Sequence, residues 1–389
     1  MSFKMHPDKI EKSINEFFVA ELEAINKHRD NGGLVAGYLC RHFPPEIMSG
    51  LGLWPVRLAS GADFISERRG EQIVRPDACS YCKSVIGNFK AKTGLHGVSD
   101  LLVGVITCDM MRRTIDTVET ETGIPVFRIN MPATRSSNAE IYFVMDVRRA
   151  VEELERFLHM IFDAAKCIAY FNARKKIAEI LEDIAVNDKL PPVLTHRLFH
   201  LFSIARPGQM LDFLRKLKLK KSSAEKCTKV ILTGSTLCLE DVFLTELLQE
   251  KGISVIPFYC TGLGTTEIYK SGNFKCNTGI LPVGLKSKPL KDQGRDVIGE
   301  LAHMSFNSNI CIRQRPNIAV YDKLKEIIRL EKCDGVILKS LKFCDLWFTE
   351  KERMKQELGI PVLVLDTTYS DSERERIRNR VEAFMEIIG

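Results

Sequence analysis

Apolar and polar positions follow the same arrangement in two separate parts of this chain. In the first part, helical patterns separate four short apolar runs, at residues 33–39, 54–58, 101–106 and 126–129. The second part repeats this arrangement, with runs at residues 229–235, 253–258, 335–338 and 361–365. Short apolar runs that alternate with helices are typical of parallel α/β sheets. The pattern therefore predicts two α/β domains.

Two other regions have only a helical period. The N-terminus predicts one amphipathic helix behind Asp8 as a candidate cap, with a face formed by Ile10, Ile14, Phe17, Phe18, Leu22 and Ile25. Between the two sheets, apolar residues recur every three or four positions from about residue 147, and Pro191-Pro192 interrupts them. A long loop is predicted after the strand at 253–258. The predicted division is an N-terminal helix at 1–30, a first α/β domain at 31–145, a helical segment at 146–226 and a second α/β domain at 227–389.

Composition narrows the class of protein. The 389 residues are 45% hydrophobic and 27% charged, which is typical of a globular protein with several domains. A net charge of +6 is modest for this length and indicates no nucleic-acid partner. The first helix lacks the apolar core and cleavage site of a signal peptide, and no stretch reaches membrane-spanning length. We therefore expect a cytoplasmic protein with no membrane partner.

The cysteines carry the main chemical signal. A cytoplasmic chain with twelve cysteines is not expected to hold them as disulfides, so clustered thiols indicate metal or redox chemistry. Two residues separate Cys79 from Cys82, and both are predicted to lie in a loop that follows the polar segment 67–76 and precedes a helix from about residue 83. Cys108 and Cys344 each follow a strand pattern and precede Asp. Soft thiolates of this kind suit an iron–sulfur cluster. A structural zinc site would need a second such cysteine pair, which is absent. A thioredoxin-like redox pair would be expected near an N-terminal strand and helix, and this pair is far from one. Simple burial of both thiols in an apolar core is the alternative that stays open.

Further candidate residues lie in loops near the proposed cleft. Ligands of open parallel sheets bind at the carboxyl ends of the strands, where Cys40, Cys108, Cys260 and Cys344 are expected. For Cys40, Cys260, Cys276 and Cys311, a ligand role and simple packing are both open. Glu46, near the Cys40 loop, is a candidate acid or base, and interaction with a helix N-terminus is the alternative.

Two glycine-containing segments follow predicted strands, and each could present backbone N–H groups to an anion. They are Thr233-Gly234-Ser235 and Gly262-Leu263-Gly264-Thr265-Thr266. Neither has the Lys-Ser/Thr ending of a Walker motif, and neither fits the dinucleotide fingerprint. We therefore predict that this chain does not hydrolyse ATP.

Nearly the whole chain resembles the family of 2-hydroxyacyl-CoA dehydratase component D, benzoyl-CoA reductase cluster subunits and double-cubane cluster proteins. The resemblance rests on the order and spacing of several segments. They are Gly37-Tyr38-Leu39-Cys40, Pro45-Glu46-Ile47, residues 50–58, Cys79-Ser80-Tyr81-Cys82-Lys83-Ser84, Cys108-Asp109 with Arg112-Arg113, Asn172-Ala173-Arg174, Cys311, Asp334-Gly335-Val336-Ile337, Phe343-Cys344-Asp345 and Arg380-Val381-Glu382-Ala383-Phe384.

The resemblance implies two flavodoxin-like (Rossmann-like) domains with an iron–sulfur cluster between them. In the dehydratases three cysteines bind a [4Fe-4S] cluster, and the matching positions are Cys79, Cys108 and Cys344. The resemblance also implies an acyl-CoA substrate, an identical or related subunit in a dimer, and a separate cluster-containing ATPase activator that delivers a low-potential electron. The substrate then becomes a ketyl radical, whose β-proton is acidic enough to remove.

Cys82 departs from the dehydratase pattern because it adds a thiolate beside Cys79. A double-cubane [8Fe-9S] cluster needs more than three ligands, and Cys82, Cys40 and Cys311 are the natural additions. An ATP-dependent reductase of small molecules is therefore an alternative, as is a non-catalytic cluster scaffold. Candidates for binding the anionic part of an acyl-CoA are Arg57, Arg112 and Arg113.

Overall fold

The computed structural model describes residues 7–217, 219, 228–259, 262–271 and 296–389. Two four-stranded sheets form its framework, and every strand pair in both sheets is parallel. Helices surround both sheets. The predicted α/β class with two parallel sheets is therefore confirmed.

The first sheet follows a long N-terminal helix, α1 (Pro7–Asp30). Its strands are β1 (Val35–Tyr38), β2 (Trp54–Arg57), β3 (Leu101–Ile106) and β4 (Val126–Asn130). The helices between them are α2 (Pro45–Gly50), α3 (Phe64–Glu71), α4 (Ser80–Ala91), α5 (Gly94–Val98) and α6 (Asp109–Thr122). The spatial order is β2-β1-β3-β4, so the direction of winding reverses between β1 and β3. Such a reversal opens a crevice at the carboxyl ends of these two strands.

Four helices connect the two sheets, in agreement with the predicted helical segment. They are α7 (Ser137–Leu158), α8 (Ala164–Val186), α9 (Pro192–Leu201) and α10 (Pro207–Leu217). Pro192 occupies the first turn of α9, where its missing N–H costs no hydrogen bond. The rings of Phe17 on α1 and Phe213 on α10 stack with their centroids 4.4 Å apart. The N-terminal helix is thus packed against the helical segment.

The second sheet has the same topology as the first, with the order β6-β5-β7-β8. Its strands are β5 (Lys229–Gly234), β6 (Ser254–Tyr259), β7 (Gly335–Leu341) and β8 (Val362–Thr367). The accompanying helices are α11 (Phe243–Glu250), α12 (Glu267–Ser271), α13 (Val297–Ser308), α14 (Ile318–Glu331), α15 (Asp345–Phe348), α16 (Lys351–Glu357) and α17 (Arg374–Ile388). The first strand of each half therefore lies between the second and the third, which is the flavodoxin-like order.

The region around the cysteine pair differs from the sequence prediction. A polar segment leading to a Cys79/Cys82 loop was expected, with a helix from about residue 83. The structure instead forms α3, because the side chain of Asp63 accepts from Ser66 N at 2.6 Å while Ser66 Oγ accepts from Asp63 N. This capping box starts a helix whose composition is too polar to show an apolar period. Cys82 lies in the first turn of α4, not in a loop.

Two further helices also depart from the expected elements. The helical period was expected from residue 147, but α7 begins ten residues earlier because Ser136 Oγ caps it by accepting from Ala139 N at 3.2 Å. The long loop predicted after the second strand of the second sheet contains α13, capped in the same way by Asp296. Local caps decide where these two helices begin, and the apolar period at the start of α7 and along α13 was missed in the sequence prediction.

Buried apolar side chains join the two halves of the molecule. One continuous cluster runs from Val103 in the first sheet through Leu198 in the helical segment to Ile231 in the second sheet. A second cluster includes Cys79 and Leu341. The described part of the chain contains no helix that is both long enough and apolar enough to cross a membrane.

Candidate metal centre

Three of the predicted thiols occupy equivalent places at helix starts. Cys79, Cys108 and Cys344 are the N-cap residues of α4, α6 and α15. Cys108 and Cys344 follow β3 and β7, the strands beside the reversal of winding in each sheet. The thiol of Cys108 accepts a hydrogen bond from Met111 N at 3.3 Å. The free N–H groups and the dipole at the start of a helix favour a thiolate.

These thiols meet across the two halves of the molecule. The thiol of Cys344, from the second half, forms a hydrogen bond with that of Cys79, from the first, and a further one with Ser235. Cys82 forms a hydrogen bond with Cys79 from within the same helix, and Cys108 lies within electrostatic range of Cys344. The structure therefore brings Cys79, Cys82 and Cys344 into contact, with Cys108 within electrostatic range of Cys344, although Cys79 and Cys344 are 265 positions apart in the sequence.

Burial and mutual contact determine the protonation of these thiols. Burial raises the pKa of Cys108. The hydrogen bond with Cys79, together with burial, raises the pKa of Cys344. The hydrogen bond with Cys344 acts to lower the pKa of Cys79, but the bond with Cys82 and burial outweigh it, and the pKa lies well above its ordinary value. Without a metal the three thiols are protonated at neutral pH, so binding a metal would release protons.

The spacing of the thiols does not fit a single ion. Among the residues that the structure describes, no group of three or more His, Cys, Asp or Glu side chains is placed to hold one metal ion. An iron–sulfur cluster makes a different demand, because its cysteine thiolates bind different irons of one inorganic core. Three soft thiols from three separate elements fit that demand better than they fit zinc.

Two residues beside these thiols gave no distinctive signal in the sequence. The thiol of Cys238, fully buried after β5, lies 3.7 Å from the hydroxyl of Tyr369, which follows β8. Tyr369 in turn lies within electrostatic range of Cys79. The strand that each residue follows was predictable from the sequence, but their proximity depends on how β5 and β8 are placed in the folded protein.

The other predicted cysteines are only partly described. Cys40 follows β1, is half-buried and lies within electrostatic range of Tyr81. Cys311 is half-buried near Arg135. Cys260 and Cys276 lie outside the described residues. A ligand role for Cys40 and Cys311 stays a prediction.

Glu46 lies in the first turn of α2 and is almost fully buried. Its carboxylate accepts a 2.5 Å hydrogen bond from the hydroxyl of Tyr269 and forms an ion pair with Arg174 at 3.2 Å. Arg174 also donates to the Tyr269 hydroxyl at 2.6 Å and to the carbonyl of Phe202 at 2.5 Å. These three side chains form a closed network between α2, α8 and α12. Glu46 is held as a hydrogen-bond acceptor.

A small cavity adjoins this network. The volume open to the centre of a water molecule is about 20 Å³. The cavity is lined by the Glu46 network together with Tyr38, Arg41, Arg57 and Asn309. That volume suits one or two water molecules. Among the arginines suggested for anion binding, Arg57 is buried at this cavity, whereas Arg112 and Arg113 are exposed on α6, behind Cys108.

Comparison with known proteins identifies the family. The family model of the 2-hydroxyglutaryl-CoA dehydratase D-component matches residues 40–388. The chain is 23% identical over 381 residues to the putative dehydratase subunit YjiM of Escherichia coli (strain K12), covering 92% of this chain and 93% of that protein. It is 21% identical over 387 residues to the (R)-phenyllactyl-CoA dehydratase beta subunit of Clostridium sporogenes, covering 94% of each. The chain therefore belongs to the family of 2-hydroxyglutaryl-CoA dehydratase D-components.

Proposed function

We propose that this chain is the iron–sulfur subunit of a 2-hydroxyacyl-CoA dehydratase-like lyase, with Cys79, Cys108 and Cys344 as ligands of a [4Fe-4S] cluster. The observation that carries the proposal is the meeting of these three thiols, each at the start of a helix, between two flavodoxin-like sheets. When bound, such a cluster supplies one-electron chemistry to a substrate carbonyl. Family membership supports the dehydratase class.

The chain's own residues would perform the remaining tasks. The two helix starts at Cys79 and Cys108 stabilise thiolates. Glu46 would hold or accept a proton, while Arg174 and Tyr269 fix its orientation. Arg112 and Arg113, exposed on the helix that Cys108 caps, would bind the phosphates of an acyl-CoA.

We place the protein in the cytoplasm and propose two partners for it, a second dehydratase subunit and a separate activator. Both relatives are named as dehydratase subunits, which supports an identical or related partner subunit. In the described strand-to-helix turns we find no Walker motif, so the energy of ATP would enter through a separate cluster-containing activator.

Anaerobic purification followed by iron and sulfide analysis tests the proposal. We expect about four irons per chain, bound through thiolates, and a loss of iron in the Cys108→Ser variant. Iron-free protein after anaerobic reconstitution would refute the metal centre. Dehydration of a 2-hydroxyacyl-CoA by the chain, its partner subunit and an activator then tests turnover. Iron without turnover would favour a scaffold.

One observation favours a second candidate function. Cys82 is buried and forms a hydrogen bond with Cys79, so a fourth thiol stands beside the proposed ligands. A double-cubane [8Fe-9S] cluster in an ATP-dependent reductase would use such a thiol. Roughly eight irons per chain, and fewer in the Cys82→Ser variant, would support this alternative. If the Cys82→Ser variant keeps both its iron content and its spectrum, Cys82 is only a neighbour.

A further inference from the structure

A buried ion pair lies next to the start of α4, where Cys79 is the N-cap residue. The ammonium of Lys83, on the first turn of α4, lies 3.0 Å from the carboxylate of Glu67 and 2.8 Å from that of Glu71, both on α3. The side chains of Lys83 and Glu67 are only 3% and 6% exposed. Glu67 also accepts a 2.7 Å hydrogen bond from Ser80, the residue after Cys79. The pair thus secures the turn that carries Cys79 and Cys82.

The same pair reaches into the second half of the molecule. The second oxygen of Glu67 accepts a 3.2 Å hydrogen bond from the backbone N–H of Tyr369, which follows β8. The Lys83 ammonium lies 5.9 Å from the ring centroid of Phe343, the residue before Cys344. A cation at this distance from an aromatic ring is attracted to it. Both ions of the pair therefore contact a loop of the opposite half.

Phe343 has a backbone conformation that needs support from its surroundings. Its φ angle is +62°, in the left-handed region that L-residues seldom adopt. Contacts around a residue must hold such a conformation in place, because the chain alone does not favour it. Lys83 is one of these contacts, and the conformation directs the next residue, Cys344, towards Cys79.

We propose that Lys83 and Glu67 form an interdomain latch that positions the loop of Cys344 and the segment of Tyr369 against the helix start at Cys79. Both are positioning residues, because they act through the thiols. The inference depends on the proposed function only in taking the thiols as metal ligands. All of these contacts are between protein groups, so the latch can be tested without a cluster.

The test measures how accessible individual thiols are in the full-length chain after iron has been removed by a chelator. Iodoacetamide labelling, read at each cysteine by mass spectrometry, gives the rate at Cys79, Cys344 and Cys167. Amide hydrogen exchange of the peptide around Tyr369 gives a second, independent readout. Lys83→Met is expected to raise labelling at Cys344 and exchange at Tyr369 by roughly tenfold or more, because local opening controls both rates.

Two further variants make the test specific. Lys83→Met leaves Glu67 buried without its cation, so a double variant with Glu67→Leu removes both buried charges and avoids a failure to fold. Lys90→Met is the matched control, since Lys90 lies on the same helix and forms an ion pair of 2.8 Å with Glu121 at the surface. We expect wild-type rates in this control.

The outcomes separate the latch from general loosening and from the proposed function. The latch would be overturned if both Lys83 variants showed the same labelling rate at Cys344 and the same exchange rate around Tyr369 as Lys90→Met. An equal rise at Cys167, which is fully buried in α8, would show that the whole fold had loosened and would also overturn it. A protein that binds no iron but shows the local increases would refute the metal centre and keep the latch.

Discussion

Removal of Arg174 should destabilise the protein far more than removal of a surface arginine. Its side chain is 5% exposed, and its partner Glu46 is 1% exposed. In the Arg174→Met variant Glu46 stays buried and keeps only the Tyr269 hydroxyl as its described donor. Leaving one member of a buried pair uncompensated costs about 3–5 kcal/mol. We expect a loss of stability in that range, since the stacking of Arg174 on the Phe202 ring, 3.8 Å away, is lost as well.

Glu46→Gln should cost less. A glutamine oxygen still accepts from Tyr269, and Arg174 keeps Tyr269 and the Phe202 carbonyl as acceptors. The variant leaves Arg174 buried without its counter-ion but with its hydrogen-bond acceptors, so a cost at the lower end of the same range, about 3 kcal/mol, is expected. In the double variant neither charge is left buried alone, and its cost should fall below the sum of the single costs by roughly 0.5–3 kcal/mol.

Guanidinium denaturation followed by circular dichroism measures these costs. The slope of each transition should equal that of the wild type, since a changed slope indicates a different denatured state or a loss of two-state unfolding. Arg197→Met is the matched control, because Arg197 forms a 2.7 Å ion pair with Glu11 at the surface. Exposed pairs are worth about 0–1 kcal/mol. An Arg174 variant no less stable than this control, or single costs that simply add in the double variant, would refute the buried network.

Three other predictions concern stability. A side chain at Gly87 would come within 2.1 Å of the Ser66 carbonyl, so Gly87→Ala should separate α3 from α4 and cost roughly 1–3 kcal/mol by denaturation; Gly208→Ala, which has open space, is the control. Burial lowers the pKa of His196 to about 4. His196 therefore becomes protonated near pH 6.5 in the unfolded chain but only near pH 4 in the folded protein. Its contribution to the free energy of unfolding is fully present above pH 6.5 and falls by up to roughly 3 kcal/mol as the pH drops to 4. His196→Asn should lose less stability than the wild type between pH 7 and pH 5, and an equal loss would contradict the assignment. Lys332 ends α14 with a φ of +52°, a conformation that glycine adopts at less cost. Lys332→Gly should therefore raise the free energy of unfolding by up to about 1 kcal/mol, seen as a higher denaturation midpoint. A lower midpoint would argue against a left-handed cap.

Several features of the fold could be predicted from the sequence because short-range physics determines them. Strands such as β3 and β7 are buried along their whole length, so they appear as continuous apolar runs. The alternation of such runs with helices is enough to predict two parallel sheets. The place of Cys108 and Cys344 after strands followed from the same pattern, since parallel strands share one carboxyl edge.

Short helices with polar sequences could not be predicted in the same way. α3 depends on the capping box of Asp63 and Ser66 and on its close approach to α4, where a Cβ at Gly70 would overlap the Lys83 carbonyl. Side-chain caps and helix crossings of this kind leave no apolar period. The prediction of a loop at Cys82 failed for this reason.

The sequence by itself determined the class of fold and the helical segment between the sheets, and it singled out the thiols that we propose as metal ligands. Only the tertiary structure decided that Cys344 meets Cys79, that Tyr269 and Arg174 enclose Glu46, and that Lys83 and Glu67 join the two halves. Each of these contacts links residues more than a hundred positions apart or depends on which face of a helix is buried. Patterns along a chain record which residues are buried, but the relative placement of two sheets determines which buried residues face each other.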